Sequence, residues 1–261
     1  MILSSLVDFF MTMPGLKRSE MAADTVDYDL GWETRWDDMR RYGPTARHLR
    51  EIVRALAGDL EYQTVLDVGC GQGTLLSELA SLNPKARCHG ADFSPAGLEM
   101  ARRRMPGMTF FQLDLEKGRL DQRFDLVVCT DVVEHIADDT AAFQHLAEMT
   151  GGHLIISTMQ GRMRAFETSV GHYRNYRYGE VQAKLEAAGL EVVRVVQWGF
   201  PFFSPLHRNL LELLDARGTE GEFGLLRRFI AEALYQLFRL NSWNRGDYIC
   251  VLARRPPASL S

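Results

Sequence analysis

The chain has 261 residues, 46% hydrophobic and 25% charged, the composition of a globular protein able to bury a full core. Its formal net charge of −4 argues against a dedicated nucleic-acid binder, and no run of 18 uninterrupted apolar residues offers a membrane-spanning helix. The four cysteines, Cys70, Cys88, Cys129 and Cys250, form no CxxC pair, and three lie in apolar, strand-like runs, the pattern of reduced, buried thiols in a cytoplasmic protein.

Taken in chain order, residues 2–13 put Ile2, Leu3, Leu6, Val7, Phe10 and Met13 on one helical face. No basic residue precedes this run and Asp8 interrupts it, so it reads as a docking helix rather than a signal peptide, with a lid or a membrane-surface anchor as alternatives. The segment 31–48 carries Trp32, Trp36, Arg41, Tyr42 and Arg47 on a helical pattern. From residue 64 onward, short β-rich runs at 65–68, 87–92, 109–113, 124–129, 153–157 and 191–196 alternate with helical patterns at 73–81, 95–104, 138–149 and 178–188. Most of the strand runs are apolar enough to be buried on both faces, and the alternation predicts a parallel sheet covered by helices on both sides. A last strand at 248–253 follows an interval of about fifty residues, far longer than a hairpin needs. That interval holds helical patterns at 206–216 and 224–240, the second with an apolar stripe through Leu225, Leu226, Phe229, Ile230, Leu234, Leu237 and Phe238.

The strongest signal is Val65-Leu66-Asp67-Val68-Gly69-Cys70-Gly71-Gln72-Gly73. A glycine-rich turn after the first strand of such a sheet lets a ligand approach the backbone closely. Dinucleotide sites use GxGxxG and set a pyrophosphate on the helix N-terminus. Here the spacing is GxGxG, and Asp67 would repel a pyrophosphate but suit a ligand that carries an ammonium group.

These residues resemble the first motif of the class I S-adenosylmethionine-dependent methyltransferases, a hydrophobic run followed by (E/D)xGxGxG, matched by Asp67, Gly69, Gly71 and Gly73. The resemblance covers residues 45–198 and the last strand. It implies an α/β, Rossmann-like, seven-stranded doubly wound sheet with the last strand antiparallel. Residues 1–60 would then be an N-terminal helical cap, 61–198 the cofactor core, 199–246 a helical insert serving as lid or oligomer contact, and 247–255 the final strand. It also implies S-adenosyl-L-methionine (AdoMet) as cofactor, with Asp92 on both ribose hydroxyls and Phe93 beside it. Asp114 would bind the adenine amino group with Leu115 next to it, Cys70 and Thr130 would line the site, and Tyr42 would cap it.

The segment Asp131-Val132-Val133-Glu134-His135-Ile136 is similar to that of the ubiquinone-biosynthesis O-methyltransferases, where an E-x-x-E-H array can hold a divalent cation. Asp131, Glu134 and His135 are therefore candidate ligands for Mg2+ or Mn2+, the alternative being that Glu134 and His135 only frame the site. His135 and His172, with Glu134, are the candidate proton-transfer groups. The run Gly171-His172-Tyr173-Arg174-Asn175-Tyr176-Arg177-Tyr178 offers Tyr173, Arg174 and Tyr176 to an acceptor with an apolar body and an anionic head. In this fold the insert would rise over the active-site face, and Phe200 and Phe203 would line the acceptor pocket. The expected function is methylation of a small, partly apolar metabolite, at a hydroxyl oxygen or alternatively at carbon of a prenyl or polyketide-like acceptor. A non-catalytic AdoMet-binding regulator is the remote alternative. The expected partners are the small-molecule acceptor, without nucleic acid; homo-oligomerisation and peripheral membrane contact stay open.

Overall fold

The computed structural model describes residues 26–34, 36–213 and 221–257. The helix expected at 2–13 and the end of the one expected at 206–216 lie outside the described residues. Among the described residues three helices come first: α1 (Tyr28–Thr34), α2 (Asp37–Tyr42) and α3 (Pro44–Ala57). Pro44 opens α3, where a missing N–H costs no helical hydrogen bond, and Leu49, Ile52, Val53 and Leu56 form its buried stripe. The core then runs β1 (Thr64–Val68), α4 (Thr74–Leu82), β2 (Arg87–Asp92), α5 (Pro95–Arg104), β3 (Thr109–Gln112), β4 (Phe124–Thr130), a 3-10 turn (Val133–His135), α6 (Asp139–Met149) and β5 (Thr150–Met159). After it come α7 (Ala165–Ser169), α8 (Glu180–Ala187), β6 (Glu191–Trp198), a π-helical turn (Phe202–His207), α9 (Arg208–Leu213), α10 (Leu225–Phe238) and β7 (Tyr248–Arg254).

The seven strands form one sheet in the order β3-β2-β1-β4-β5-β7-β6. All neighbours pair in parallel except β7, which is antiparallel to both β5 and β6. The strand order reverses between β1 and β4, and the crevice at the carboxyl ends of strands at such a switch point is where open α/β sheets bind ligands. One face packs Leu66, Val127, Leu154 and Val251 against α6 and α8; the other packs Val65, Val128, Ile155 and Cys250 against α3 and α4. The edge strands depart from the expected burial on both faces: β3 has no fully buried residue, and Val193 and Val195 of β6 are exposed. Each edge strand has helix cover over only part of its surface. All four cysteines are buried thiols.

The insert between β6 and β7 begins at the carboxyl edge of the sheet, where Trp198 pairs with Tyr248, and then turns sideways onto the N-terminal helices. Arg47 of α3 donates to Glu232 at 2.6 Å and lies 3.5 Å over the Tyr235 ring, while His48 stacks on Tyr235 at 4.6 Å. The apolar stripe of α10 is divided: Ala231 and Phe238 are buried, whereas Leu225, Leu226 and Phe229 face outward. Among the described residues, no helix is long and apolar enough to cross a membrane.

Candidate active site

The glycine turn after β1 brings backbone to the mouth of the crevice. Gly69 and Cys70 both donate their N–H to the Ala91 carbonyl, at 2.8 and 3.0 Å, so the turn is tied to the neighbouring strand. Gly71 has φ +50°, and a Cβ there would meet the Trp32 indole at 2.1 Å, so only glycine fits. Asp92, at the end of β2, accepts from the Gly71 N–H at 2.7 Å and from the Ser94 N–H at 2.8 Å. Capping of α5 falls to Ser94, which accepts from Gly97, so the remaining lone pairs of Asp92 are open to another donor.

Asp67 is buried, and its Oδ2 has no hydrogen-bond partner. Burial, with Asp92 nearby, pushes its carboxyl up to about 8, against the pull of Arg40. Such an orphan acceptor is costly unless a donor arrives from outside the chain. Thr130, at the end of β4, lines the same cavity, with Trp32, Arg40, Gly69 and Cys70. The Cys70 side chain points to Gly90, whose added Cβ would lie 2.8 Å from its Sγ, so Cys70 borders the site mainly through its backbone. Phe93 is 55% exposed beyond Asp92. Asp114 follows β3 and pairs with Lys117 at 2.7 Å, while the Leu115 side chain is buried and its carbonyl takes His145 Nδ1 at 2.8 Å.

The N-terminal helices close this crevice with residues that carry no motif. Asp29 accepts from Ser94 and from the Ala96 N–H, fixing α1 on the start of α5. Arg104 pairs with Asp37 at 2.8 Å, fixing α2, and Gln72 donates to the Asp37 carbonyl at 3.2 Å. Trp32 thereby rests on Gly71, leaving a cavity of about 40 Å³. Tyr28 reaches between the two halves of the site, with its ring 6.3 Å from Phe93 and 6.1 Å from His135. Burial, with Glu134 and Asp92, raises its hydroxyl to about 12, so it stays a donor. Tyr42, expected as the cap, instead stacks on Phe223 and under Arg228. It points to the insert because it lies two residues, just over half a helical turn, past Arg40, on the opposite face of α2.

On the other side of β4 stand Glu134, His135 and His172. One Glu134 oxygen and one ring nitrogen of each histidine all lie within 4.8 Å of one another. Glu134 accepts from Thr158 at 2.8 Å; burial and Asp131 hold its carboxyl well above the usual carboxylate range. Burial and the second imidazole push His135 down to about 3, and burial lowers His172 as well, opposed by the bond to Asn175 and by Glu167 and Asp131. At neutral pH both imidazoles are therefore uncharged.

The structure does not bring together the three expected metal ligands. Asp131, the one non-glycine residue with positive φ among the described residues, is engaged by Arg40 at 2.8 Å and by the Tyr248 hydroxyl. What remains is two imidazoles and one carboxyl, a poor fit to Mg2+ or Mn2+, which prefer oxygen donors. Three of the five expected acceptor contacts are also structural. Tyr176 is fully buried and donates to the Val133 carbonyl at 3.2 Å. Arg174 latches onto Asp139 at 2.8 Å and the Ala137 carbonyl at 2.6 Å. Phe203 is buried, stacked on Trp198 at 5.0 Å with Phe238 close by. Tyr173 remains partly exposed beside the histidines, its N–H donating to the Glu134 carbonyl at 2.9 Å, and Phe200 lies under Arg245 at 3.9 Å.

Residues 65–151, which hold the glycine turn, both strand-end acids and the Glu134-His135 pair, match the family model of a methyltransferase domain. Residues 65–151 are a methyltransferase domain. This domain is similar to the ubiquinone biosynthesis O-methyltransferase of Alkalilimnicola ehrlichii, 32% identical over 124 residues that cover 44% of this chain and 49% of that protein. It is also similar to the trans-aconitate 2-methyltransferase of Escherichia coli, 29% identical over 106 residues, 41% of each chain. The chain thus spans about half, or less, of the length of these curated relatives. The methyltransferase domain shares its fold with the magnesium protoporphyrin IX methyltransferase of Synechocystis, solved with bound S-adenosylhomocysteine, at TM-score 0.55 and 17% identity over 97% of this chain and 100% of that one.

Proposed function

We propose that this chain transfers a methyl group from AdoMet to an oxygen of a small molecule. The observation that carries this reading is the buried, unpartnered Asp67 oxygen at the glycine turn, on the same sheet edge as a pair of neutral imidazoles. The residues fit the cofactor. Asp67 offers an anionic acceptor for an ammonium, Asp92 has lone pairs free for two ribose hydroxyls, and Asp114 stands at the adjacent strand end for an amino group. Trp32 has to leave Gly71 for a nucleoside to enter, since about 40 Å³ is far below the several hundred that small-molecule pockets occupy.

AdoMet, when bound, supplies an electrophilic methyl on a sulfonium, which the acceptor oxygen takes as the carbon–sulfur bond breaks and the electron pair stays on sulfur. The chain's own contribution is to hold the acceptor in line and to take the hydroxyl proton. His172 suits the second task better than His135. Three groups oppose the fall in its basicity, against Arg208 besides burial, whereas His135 has the second imidazole and Arg40 against it and only the Gly171 backbone in its favour. Tyr28, whose ring stands edge-on to His135, gives an acceptor an aromatic and a hydroxyl contact. The relatives' names include a ubiquinone-pathway enzyme and a trans-aconitate enzyme, which supports a small acceptor without choosing one.

The test is incubation with methyl-labelled AdoMet and a panel of phenols and carboxylic acids. Label should appear on oxygen in a product of the panel. Failure to bind AdoMet, or label found on carbon, protein or RNA instead, would overturn the reading.

A further inference from the structure

His172 belongs to a row of side chains, all buried except the half-buried Asn175, that leads away from the crevice into the insert. Its Nδ1 faces Asn175 Oδ1 at 3.3 Å. The Asn175 amide is held from behind: Nδ2 donates to Glu167 Oε2 at 2.8 Å and to the Arg162 carbonyl at 3.3 Å. Glu167 also accepts from the Arg164 N–H at 2.8 Å, and its other oxygen takes Arg208 Nε at 3.0 Å. Arg208, at the start of α9 in the insert, is 1% exposed and also pairs with Asp247.

This row fixes a proton. Both groups behind Asn175, a carboxylate and a carbonyl, only accept, so the amide must point its NH2 at them. Turning the amide over would set three oxygens against one another in a half-buried place, one of them the carboxylate of buried Glu167. Asn175 therefore presents its oxygen to His172, and an oxygen acceptor requires a hydrogen on Nδ1. Free imidazole keeps both neutral tautomers in exchange; this one is restricted to a single form.

We propose that Asn175 is a positioning residue that locks His172 as the Nδ1–H tautomer, leaving Nε2 as the lone-pair nitrogen that takes the acceptor's proton. The role of Nε2 rests on the O-methylation reading; the tautomer does not. In the transfer, the hydroxyl proton passes to Nε2 as the oxygen–carbon bond forms, His172 becomes the imidazolium, and the proton returns to water afterwards. Arg208 and Glu167 give the lock its direction, so the insert sets the protonation pattern of the base without touching it.

The decisive experiment is long-range proton–nitrogen NMR on the whole protein labelled with ¹⁵N-histidine, the His172 signals being assigned by their loss in His172→Gln. The wild type should show His172 with a protonated Nδ1 and an unprotonated Nε2. Asn175→Ala should convert these signals to exchanging tautomers or to the Nε2–H form, with AdoMet affinity within about twofold of wild type. Asn175→Asp sets a carboxylate against Glu167 and should disturb His172 too. The pair Asn175→Asp with Glu167→Gln restores one donor and one acceptor at unchanged net charge and should return the Nδ1–H pattern. A wild-type Nε2–H tautomer, or an unchanged His172 spectrum in Asn175→Ala, would overturn the proposal. If the tautomer behaves as described while AdoMet fails to bind, the lock stands and the methyltransferase reading falls.

Discussion

Asp92 keeps its place through contacts to the turn after β1 and to the start of α5, with Asp67 nearby at the end of β1, whereas His172 keeps its own through a row of side chains that crosses from the segment after β5 into the insert. The first half of the site is built by neighbours in sequence, and its acids are buried and short of partners. The second half is built by distant segments, and of the side chains of Glu134, His135, His172, Asn175, Glu167 and Arg208 only His135 has a buried polar atom without a partner, its Nδ1. Unsatisfied acceptors await a ligand that brings donors; satisfied ones orient a group for chemistry. Lesions in the two halves should then separate binding from turnover.

The largest effect is expected at His172. His172→Gln should lower turnover about 10²- to 10⁴-fold, the range for a general base, while AdoMet affinity by calorimetry stays near wild type. Equal losses in both would merge the halves. Next comes Asp92→Ala, which removes the acceptor for Gly71, Ser94 and the ribose. Two ribose hydrogen bonds at roughly 1–3 kcal/mol each predict AdoMet binding weaker by about thirtyfold or more. Unchanged affinity would remove Asp92 from the cofactor half. Phe203→Ala sharpens the boundary on the insert side. As a buried core ring, Phe203 should cost about 3–5 kcal/mol of stability in denaturant titrations and show no selective rise in acceptor KM. The smallest effect is expected from chelation. Exhaustive EDTA treatment should leave turnover within about twofold, since Asp131 is committed to Arg40 and Tyr248 and the remaining donors suit Mg2+ or Mn2+ poorly. A loss restored by Mg2+ would contradict that assignment.

The same contrast explains what could be read in advance. The strand–helix alternation and the glycine turn follow from local patterns of apolar runs, spacing and an acid at a strand end, whereas the antiparallel last strand follows only from the family resemblance those residues carry. Tyr28 and Arg40 carry no signal of their own in the sequence, and Trp32 shows only as one member of a helical pattern, because all three reach the crevice only when Asp29 and Asp37 dock their helices on α5, and no local pattern encodes that docking. Tyr42 was chosen from the right helix but on the wrong face. The density of polar residues in 171–178 marks importance of two kinds that residue types alone do not divide. Arg174 and Tyr176 tie the loop to Asp139 and Val133, whereas His172 and Asn175 face the cluster. Phe203 was legible as apolar and important, but its place under Trp198 depends on the path of the whole insert.

The central claim is that Asp67 waits in protonated form for a cationic ligand, and proton release on binding tests it most directly. A carboxyl raised to about 8 in the folded chain, against about 3.9 when unfolded, binds an extra proton between those values. Its burial is thus tolerated at low pH, and stability falls as pH rises from about 3.9 to about 8, levelling off above. An ammonium beside it reverses this preference by favouring the carboxylate. Calorimetry of AdoMet binding at pH 6.5, in buffers of different ionisation enthalpy, should therefore report release of about one proton by the wild type. Asp67→Asn should bind more weakly with release close to zero. The same proton release in Asp67→Asn, or none in the wild type, would contradict the account.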